Sequence, residues 1–238
     1  MHTVVLAGGF GTRLKSVLKD LPKPLAPVND KCFLEYLLDN LKRNGLKDFI
    51  FCLHYMAEKI TDVFDDGSKF GVKIIYSIEK EPMGTAGAIG LLRKELNETF
   101  CVVNADTYIE LDIPSCIAAH KSSGAIATMA VTQVKDSSRY GRIILDNTGF
   151  IKDYTEKNES PLKGGYINAG LYIFEPKVFD YIPANRFVSL EKEVFASLLK
   201  EKGVIFSYPH VKNFFDIGIP EDYHNFQQWS GISAGRLA

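Results

Sequence analysis

Three glycines, Gly8, Gly9 and Gly11, follow an apolar run at residues 3–7, and two cations, Arg13 and Lys23, follow the glycines. Glycine lets a backbone turn sharply and come close to a ligand. Its neighbouring N–H groups can then form an anion-binding concavity. Arginine adds a planar fork suited to phosphate oxygens, and lysine a mobile point charge. Lys23 stands between Pro22 and Pro24, which restrict the backbone on both sides and remove two donors, so its side chain is aimed. Two aspartates form a second group. Asp106 closes "TFCVVNAD", and Asp216 follows two aromatics in "NFFDIG". A carboxylate at the end of an apolar strand is a candidate Mg²⁺ ligand, and open α/β sheets bind ligands beyond their strand ends. A basic glycine loop with two such aspartates suggests metal-assisted transfer of a nucleotide phosphate. The plainer readings are a tight strand-to-helix turn for the glycines and turn or cap positions for the aspartates.

Two familiar phosphate loops fail on this stretch. The dinucleotide fingerprint needs a third glycine where Leu14 stands, and the Walker loop needs Gly-Lys where Thr12-Arg13 stands. An NAD-binding protein is disfavoured on the same ground. No Ser/His/Asp or Cys/His arrangement is evident, and His54, His120, His210 and His224 are scattered.

Period and punctuation place these residues on elements. Strands are predicted over 3–7, 48–53, 72–77 and 99–106, alternating with helices over 33–41, 57–64 and 85–96. This alternation implies an α/β fold with a doubly wound, Rossmann-like, mostly parallel mixed sheet. The second half changes character. It reads as a strand over 125–134, a hairpin over 141–157 turning at Asn147 and Gly149, a strand over 164–176, and a helix over 190–203 capped by Ser189 and stopped by Gly203. Two short strands follow. The expectation is one domain over 1–229, with a nucleotide-binding half over 1–110, a second half over 111–229 and a tail over 230–238.

Bulk properties narrow the class. The 238 residues carry a net charge of −1, so no global field attracts nucleic acid or an anionic membrane. Charged residues make up 24% and hydrophobic ones 46%, which suits a packed globular core. No stretch approaches the ~20 apolar residues of a membrane helix. The first apolar run ends at Gly8, too early for a signal peptide. Cys32, Cys52, Cys101 and Cys116 form no CxxC pair and read as buried free thiols of a reducing compartment. These features predict a cytoplasmic protein.

The segments "LAGGFGTRL", "PKPL", "EPMGTAGAI", "NAD", "TEK", "NAGLYIF" and "FDIGIPEDY" occur in that order. Together they resemble the sugar-1-phosphate nucleotidyltransferases, over essentially residues 4–223. Members join a nucleoside triphosphate to a sugar 1-phosphate and release pyrophosphate. The resemblance implies the nucleotide-diphospho-sugar transferase fold, with 111–229 as the sugar-binding half. By match, Leu6, Ala7, Gly8, Gly9, Gly11 and Thr12 would border the nucleotide. Arg13 would neutralise the departing pyrophosphate and Lys23 the phosphates that exchange bonds. Asp106 and Asp216 would hold Mg²⁺. Tyr140, Gly141, Glu156, Asn168 and Gly170 would line the sugar pocket, and Lys157 would hold the sugar's phosphate. A homodimer is left open.

The segment with Glu79, Pro82, Gly84 and Thr85 would lie along the base. Pyrimidine-transferring relatives carry Gln at the position of Glu79. A carboxylate only accepts hydrogen bonds, and guanine offers it two adjacent donors, N1–H and the 2-amino group. Glu79 therefore points to GTP, unless it is a solvated charge and Glu81 or the backbone reads the base. The loop "RLKSVLKDLPKPLAPV", the chain length and "SLEKEVF" most resemble the D-glycero-α-D-manno-heptose 1-phosphate guanylyltransferases of bacterial surface-glycan synthesis. Mannose 1-phosphate, a UTP-, CTP- or dTTP-using relative, and a non-catalytic sugar-nucleotide-binding regulator stay open at this stage.

Overall fold

The structure is a computed structural model that describes residues 1–18, 20–137, 139–155, 164–201 and 203–234. In chain order it contains β1 (His2–Leu6), α1 (Lys15–Leu18), β2 (Pro27–Val28), β3 (Lys31–Cys32), α2 (Phe33–Arg43), β4 (Asp48–Leu53), α3 (Ala57–Phe64), β5 (Lys73–Ile78), α4 (Gly84–Gly90), β6 (Phe100–Asn104) and β7 (Thr107–Glu110). There follow α5 (Ile113–Ser123), β8 (Ala127–Val134), β9 (Arg142–Leu145), β10 (Ile151–Thr155), β11 (Gly165–Phe174), α6 (Phe195–Leu198), β12 (Ile205–Tyr208), β13 (Asn213–Asp216) and α7 (Pro220–Ala234).

The main sheet runs β10-β9-β11-β6-β1-β4-β5, with β8 on β11 and β12 on β8. Strands β6, β1, β4 and β5 are parallel. Strand β11 then runs antiparallel to β6, β8 and β9. The central parallel strands β6, β1 and β4 read as unbroken apolar runs because helices cover both their faces, whereas the edge strand β5 leaves Lys73, Ile75 and Ile78 exposed. Period two sorts their side chains. Val5, Phe49, Phe51 and Val103 meet Leu34, Leu37 and Leu41 of α2 and Ile60 and Phe64 of α3. Val4, Ile50, Cys52 and Val102 face the other way, onto Ala86 and Ile89 of α4 and Phe195 and Leu198 of α6. Because β1 connects rightward to β4 and β5 while β6 returns on its other side, the strand order reverses between β1 and β6. A crevice therefore opens at their carboxyl ends.

Several elements differ from their sequence expectation. The helix expected over 85–96 is only α4, followed by turns. Its first residue, Gly84, sits at φ +74°, where an added Cβ would lie 2.6 Å from the Val188 carbonyl oxygen. Tight packing against the 187–188 segment therefore sets where it begins, and two further helix-weakening glycines, Gly87 and Gly90, lie within it. The helix expected over 190–203 is a π-turn at Leu190–Val194 leading into α6. Ser189 caps it as expected, its Oγ accepting from Lys192 N–H at 3.2 Å. The strand expected to reach Asp106 stops at Asn104, so Asp106 occupies the turn into β7. The expected tail does not begin at 230. Helix α7 continues to Ala234, because Tyr223 and Phe226 anchor it on Leu14, Phe33 and Tyr108 and buried Ser230 accepts from Asn29 Nδ2 at 3.0 Å. Helix α5 was not foreseen; Asp112 caps it through Ser115 N–H.

Cys52, Cys101 and Cys116 are buried and Cys32 is half-buried, all unpaired. Burial pushes their thiols up, to about 12 for Cys32 and Cys116, so they stay protonated and unreactive. Among the described residues no helix is long and apolar enough to cross a membrane.

One buried polar network lies away from the crevice. His120 is 1% exposed. Its Nε2 lies 3.0 Å from Glu175 Oε1 and its Nδ1 2.8 Å from Thr128 Oγ1. A carboxylate can only accept, so Nε2 carries the proton and Nδ1 accepts from the threonine hydroxyl. Burial holds the imidazole's pKa below its ordinary value despite Glu175. A depressed histidine favours proton uptake by the unfolded chain. Its contribution to stability is complete above about pH 6.5 and declines as the pH falls below that. His120→Ala should cost about 2–4 kcal/mol in urea unfolding at neutral pH. It should also flatten the slope of stability against pH below about 6.5.

Candidate active site

The crevice predicted by the strand order is a cavity of about 580 Å³. Its floor is the turn after β1. There Gly11 adopts φ +58°, and a Cβ at that position would come within 3.2 Å of Lys23 Cβ. The glycine loop thus folds directly over the lysine. Lys23 itself begins a tight turn, with Pro22 extended before it and Leu25 N–H donating to Pro22 O at 2.9 Å. The proline pair aims its ammonium into the cavity.

The two aspartates are 110 positions apart in sequence yet adjacent in space. Strand β13 pairs antiparallel with β7 so that Asp216 lies opposite Thr107, and Ile217 N–H donates to Asp106 O at 3.1 Å. Lys23 Nζ sits between the carboxylates, 2.7 Å from Asp106 Oδ2 and 3.8 Å from Asp216 Oδ1. Burial and the charge of Asp106 push the Asp216 carboxyl up to about 6, with Lys23 opposing. Two crowded carboxylates short of positive charge form a hard-oxygen donor pair, which fits a small divalent cation. Among the described residues no cluster of three His, Cys, Asp or Glu side chains could hold a metal. The aspartates would therefore supply part of a coordination shell that substrate phosphates and water complete, the usual arrangement for Mg²⁺.

Glu79 follows β5 directly, is 8% exposed and faces Gly8. Its Oε2 accepts from Met83 N–H at 2.8 Å, which fixes the carboxylate against the α4 loop. Burial holds its carboxyl above the ordinary range. On the far wall, β11 is irregular between Asn168 and Tyr172. This kind of irregularity re-aims a side chain next to a site. Asn168 Oδ1 accepts from Gly170 N–H at 2.9 Å, and its Nδ2 donates to Tyr172 Oη at 2.6 Å. Tyr140 is pushed up to about 12 by burial and by Asp216, so its phenol stays a donor.

All the expected site residues that fall among the described residues line this one cavity. They are Leu6, Ala7, Gly8, Gly9, Gly11, Thr12, Arg13, Lys23, Glu79, Pro82, Gly84, Thr85, Asp106, Tyr140, Gly141, Asn168, Gly170 and Asp216. Glu156 and Lys157 lie outside the described residues. Sequence reasoning missed Phe10, Tyr154, Phe187 and Glu191, which also line the cavity. Phe10 sits in the glycine motif itself and was legible there. Glu191 lies in "SLEKEVF", where nothing local shows that it faces the crevice. Beside the cavity is a smaller one of about 200 Å³, lined by Arg13, Arg139, Tyr140, Asp216, Gly218 and Ile219.

Residues 2–230 match the nucleotidyl transferase family, and the chain belongs to that family. It is 38% identical, over 95% of its length and 98% of the relative's, to the D-glycero-α-D-manno-heptose 1-phosphate guanylyltransferase of Campylobacter jejuni subsp. jejuni serotype O:2. The crystal structure of HddC from Yersinia pseudotuberculosis superposes with a TM-score of 0.83 at 35% identity, covering 95% of this chain and 98% of that one. A second HddC structure, complexed with GMP-PN, gives 0.81 over 94% and 96% at the same identity. The chain is also 36% identical to the mannose-1-phosphate guanylyltransferase of Mycobacterium tuberculosis, over 94% of its own length but 62% of that protein's. The fold is that of the nucleotide-diphospho-sugar transferases.

Proposed function

We propose that the protein is a guanylyltransferase that joins GTP to D-glycero-α-D-manno-heptose 1-phosphate, giving the GDP-sugar and pyrophosphate. The observation that carries the reaction type is Lys23 held between Asp106 and Asp216 at the lip of the glycine loop. The near full-length identity to a heptose 1-phosphate guanylyltransferase supports the substrate pair. The sugar phosphate is largely dianionic at neutral pH, because its second pKa is about 6, and is already a nucleophile. No general base is required. One of its oxygens attacks the α-phosphorus of GTP, a new P–O bond forms, and the bond to the β-phosphate's bridging oxygen breaks. Pyrophosphate leaves with that electron pair. The barrier lies in bringing two polyanions together in line, so the site's work is orientation and charge neutralisation.

In this reading the backbone of Gly8, Gly9 and Gly11 holds the triphosphate and Arg13 takes charge on the departing pyrophosphate. Lys23 leaves the aspartates for the phosphates that exchange bonds. Asp106 and Asp216 would hold a divalent cation such as Mg²⁺. When bound, the cation would supply positive charge against the phosphates. Tyr140, Gly141, Asn168 and Gly170, with Glu156 and Lys157, hold the sugar phosphate. The substrates in this reading are soluble metabolites, and the enzyme would act on them in the cytoplasm.

Glu79 is the base reader. Its buried carboxylate gains most from the two donors of guanine and would repel the carbonyl edge of uracil or thymine. An activity matrix of four NTPs against heptose, mannose and glucose 1-phosphates tests the whole reading. GDP-heptose should be the preferred product, and no pyrophosphate release with any pair would overturn it. Mannose 1-phosphate is the second reading, favoured by the mannose-1-phosphate guanylyltransferase relative. Glu79→Gln should cut the GTP-to-UTP preference by about 10²-fold, and an unchanged preference means that another group reads the base.

A further inference from the structure

Four carboxylates line the described wall of the main cavity: Glu79, Asp106, Glu191 and Asp216. Base reading and metal binding employ three of them and leave Glu191. This residue is the second of the π-turn, on the segment that packs against α4. Its Oε2 accepts from Thr85 Oγ1 at 3.0 Å and from Ser189 Oγ at 2.9 Å. Those hydroxyls are themselves fixed: Thr85 Oγ1 accepts from Leu190 N–H at 2.8 Å and Ser189 Oγ from Lys192 N–H at 3.2 Å. One oxygen of Glu191 is therefore saturated and its plane set, while no described residue donates to Oε1.

Direction decides what Oε1 meets. Glu191 lies close enough to Tyr172 for its charge to act on that phenol, and Tyr172 is the partner of Asn168. This is the sugar wall. Glu79 stands apart from it, against Gly8 and His54. An acceptor-only oxygen with no donor among the described residues suits hydroxyl donors and repels phosphate. We propose that Glu191 is a specificity residue of the sugar subsite, its Oε1 accepting from two vicinal ring hydroxyls of the sugar 1-phosphate. The inference rests on the guanylyltransferase reading and adds to it the residue that reads the ring.

The test compares wild type with Glu191→Gln on mannose 1-phosphate and its 2-, 3- and 4-deoxy forms, and on GTP with its 2′- and 3′-deoxy forms. Wild type should lose at least about a hundredfold in kcat/KM on one deoxy sugar, because a site built for a hydroxyl is left unpaired. In Glu191→Gln the parent sugar should lose about ten- to a hundredfold, chiefly through KM. The penalty for the deoxy sugar should then shrink below about threefold, with discrimination among the GTP forms unchanged. Glu191→Asp, which keeps the charge but withdraws it by one methylene, should show the same flattening if Glu191→Gln folds poorly. Unchanged deoxy-sugar penalties overturn the proposal. So does a flattened response to deoxy-GTP, which would put the ribose at Oε1. If wild type makes no GDP-sugar, the functional reading falls separately. Calorimetric titration with mannose 1-phosphate then decides Glu191: weaker binding by Glu191→Gln supports it, and equal affinity or no binding to wild type overturns it.

Discussion

Asp216→Asn should lower kcat/KM for GDP-sugar formation by about a thousandfold or more while leaving the fold as stable as wild type or more so. The two halves of this result have one cause. Asp216 is pushed up to about 6 by burial and by Asp106, so its ionised form is disfavoured in the folded chain and unpenalised in the unfolded one. The folded pKa is the higher of the two. The folded chain therefore binds more protons as the pH rises from about 4 to about 6, stability falls across that window, and the cost is fully present above it. An amide of the same shape removes the charge and that cost, on the order of 1–2 kcal/mol above pH 7. The Lys23–Asp106 pair at 2.7 Å is retained. Catalysis suffers because a neutral amide cannot complete the donor pair for a divalent cation. Thermal unfolding at pH 8 and initial rates across a Mg²⁺ series measure both halves. A variant that is inactive and also markedly less stable would assign Asp216 a structural role instead.

Lys23→Met is the second large effect, about a hundred- to a thousandfold in kcat/KM. Methionine keeps the length of the stem and removes only the ammonium, so the turn between Pro22 and Pro24 survives. The loss should fall mainly on kcat, because charge on the reacting phosphates grows in the transition state. A second readout separates this role from simple packing. In the free protein the ammonium lies between Asp106 and Asp216, where it competes with any cation those carboxylates attract. Lys23→Met should therefore bind Mn²⁺ more tightly than wild type in the absence of nucleotide, by electron paramagnetic resonance or calorimetry. Equal Mn²⁺ affinity would mean that the ammonium and the metal do not share the aspartate pair.

What the sequence by itself determined was mostly local. The central parallel strands were legible because helices bury both faces, leaving continuous runs such as residues 48–53. The glycine loop, Arg13 and Lys23 were legible as one cluster because glycines and cations stand within a few residues of each other, and all of them line the cavity. Glu79 stood out because a carboxylate, unlike an amide, cannot donate, and it lines the cavity. Elements failed where distant contacts overrode local preference. Helix α4 begins hard against Val188 and stays short, the helix expected at 190 opens as a π-turn bonded to Thr85, and α7 persists past 229 on an aromatic cluster drawn from the first half. Only the tertiary structure decided which carboxylates work together. The antiparallel pairing of β7 with β13 sets Asp216 beside Asp106, and the packing of the π-turn on α4 brings Glu191 to the cavity wall. Both depend on contacts between residues about a hundred positions apart, whose geometry no local pattern encodes.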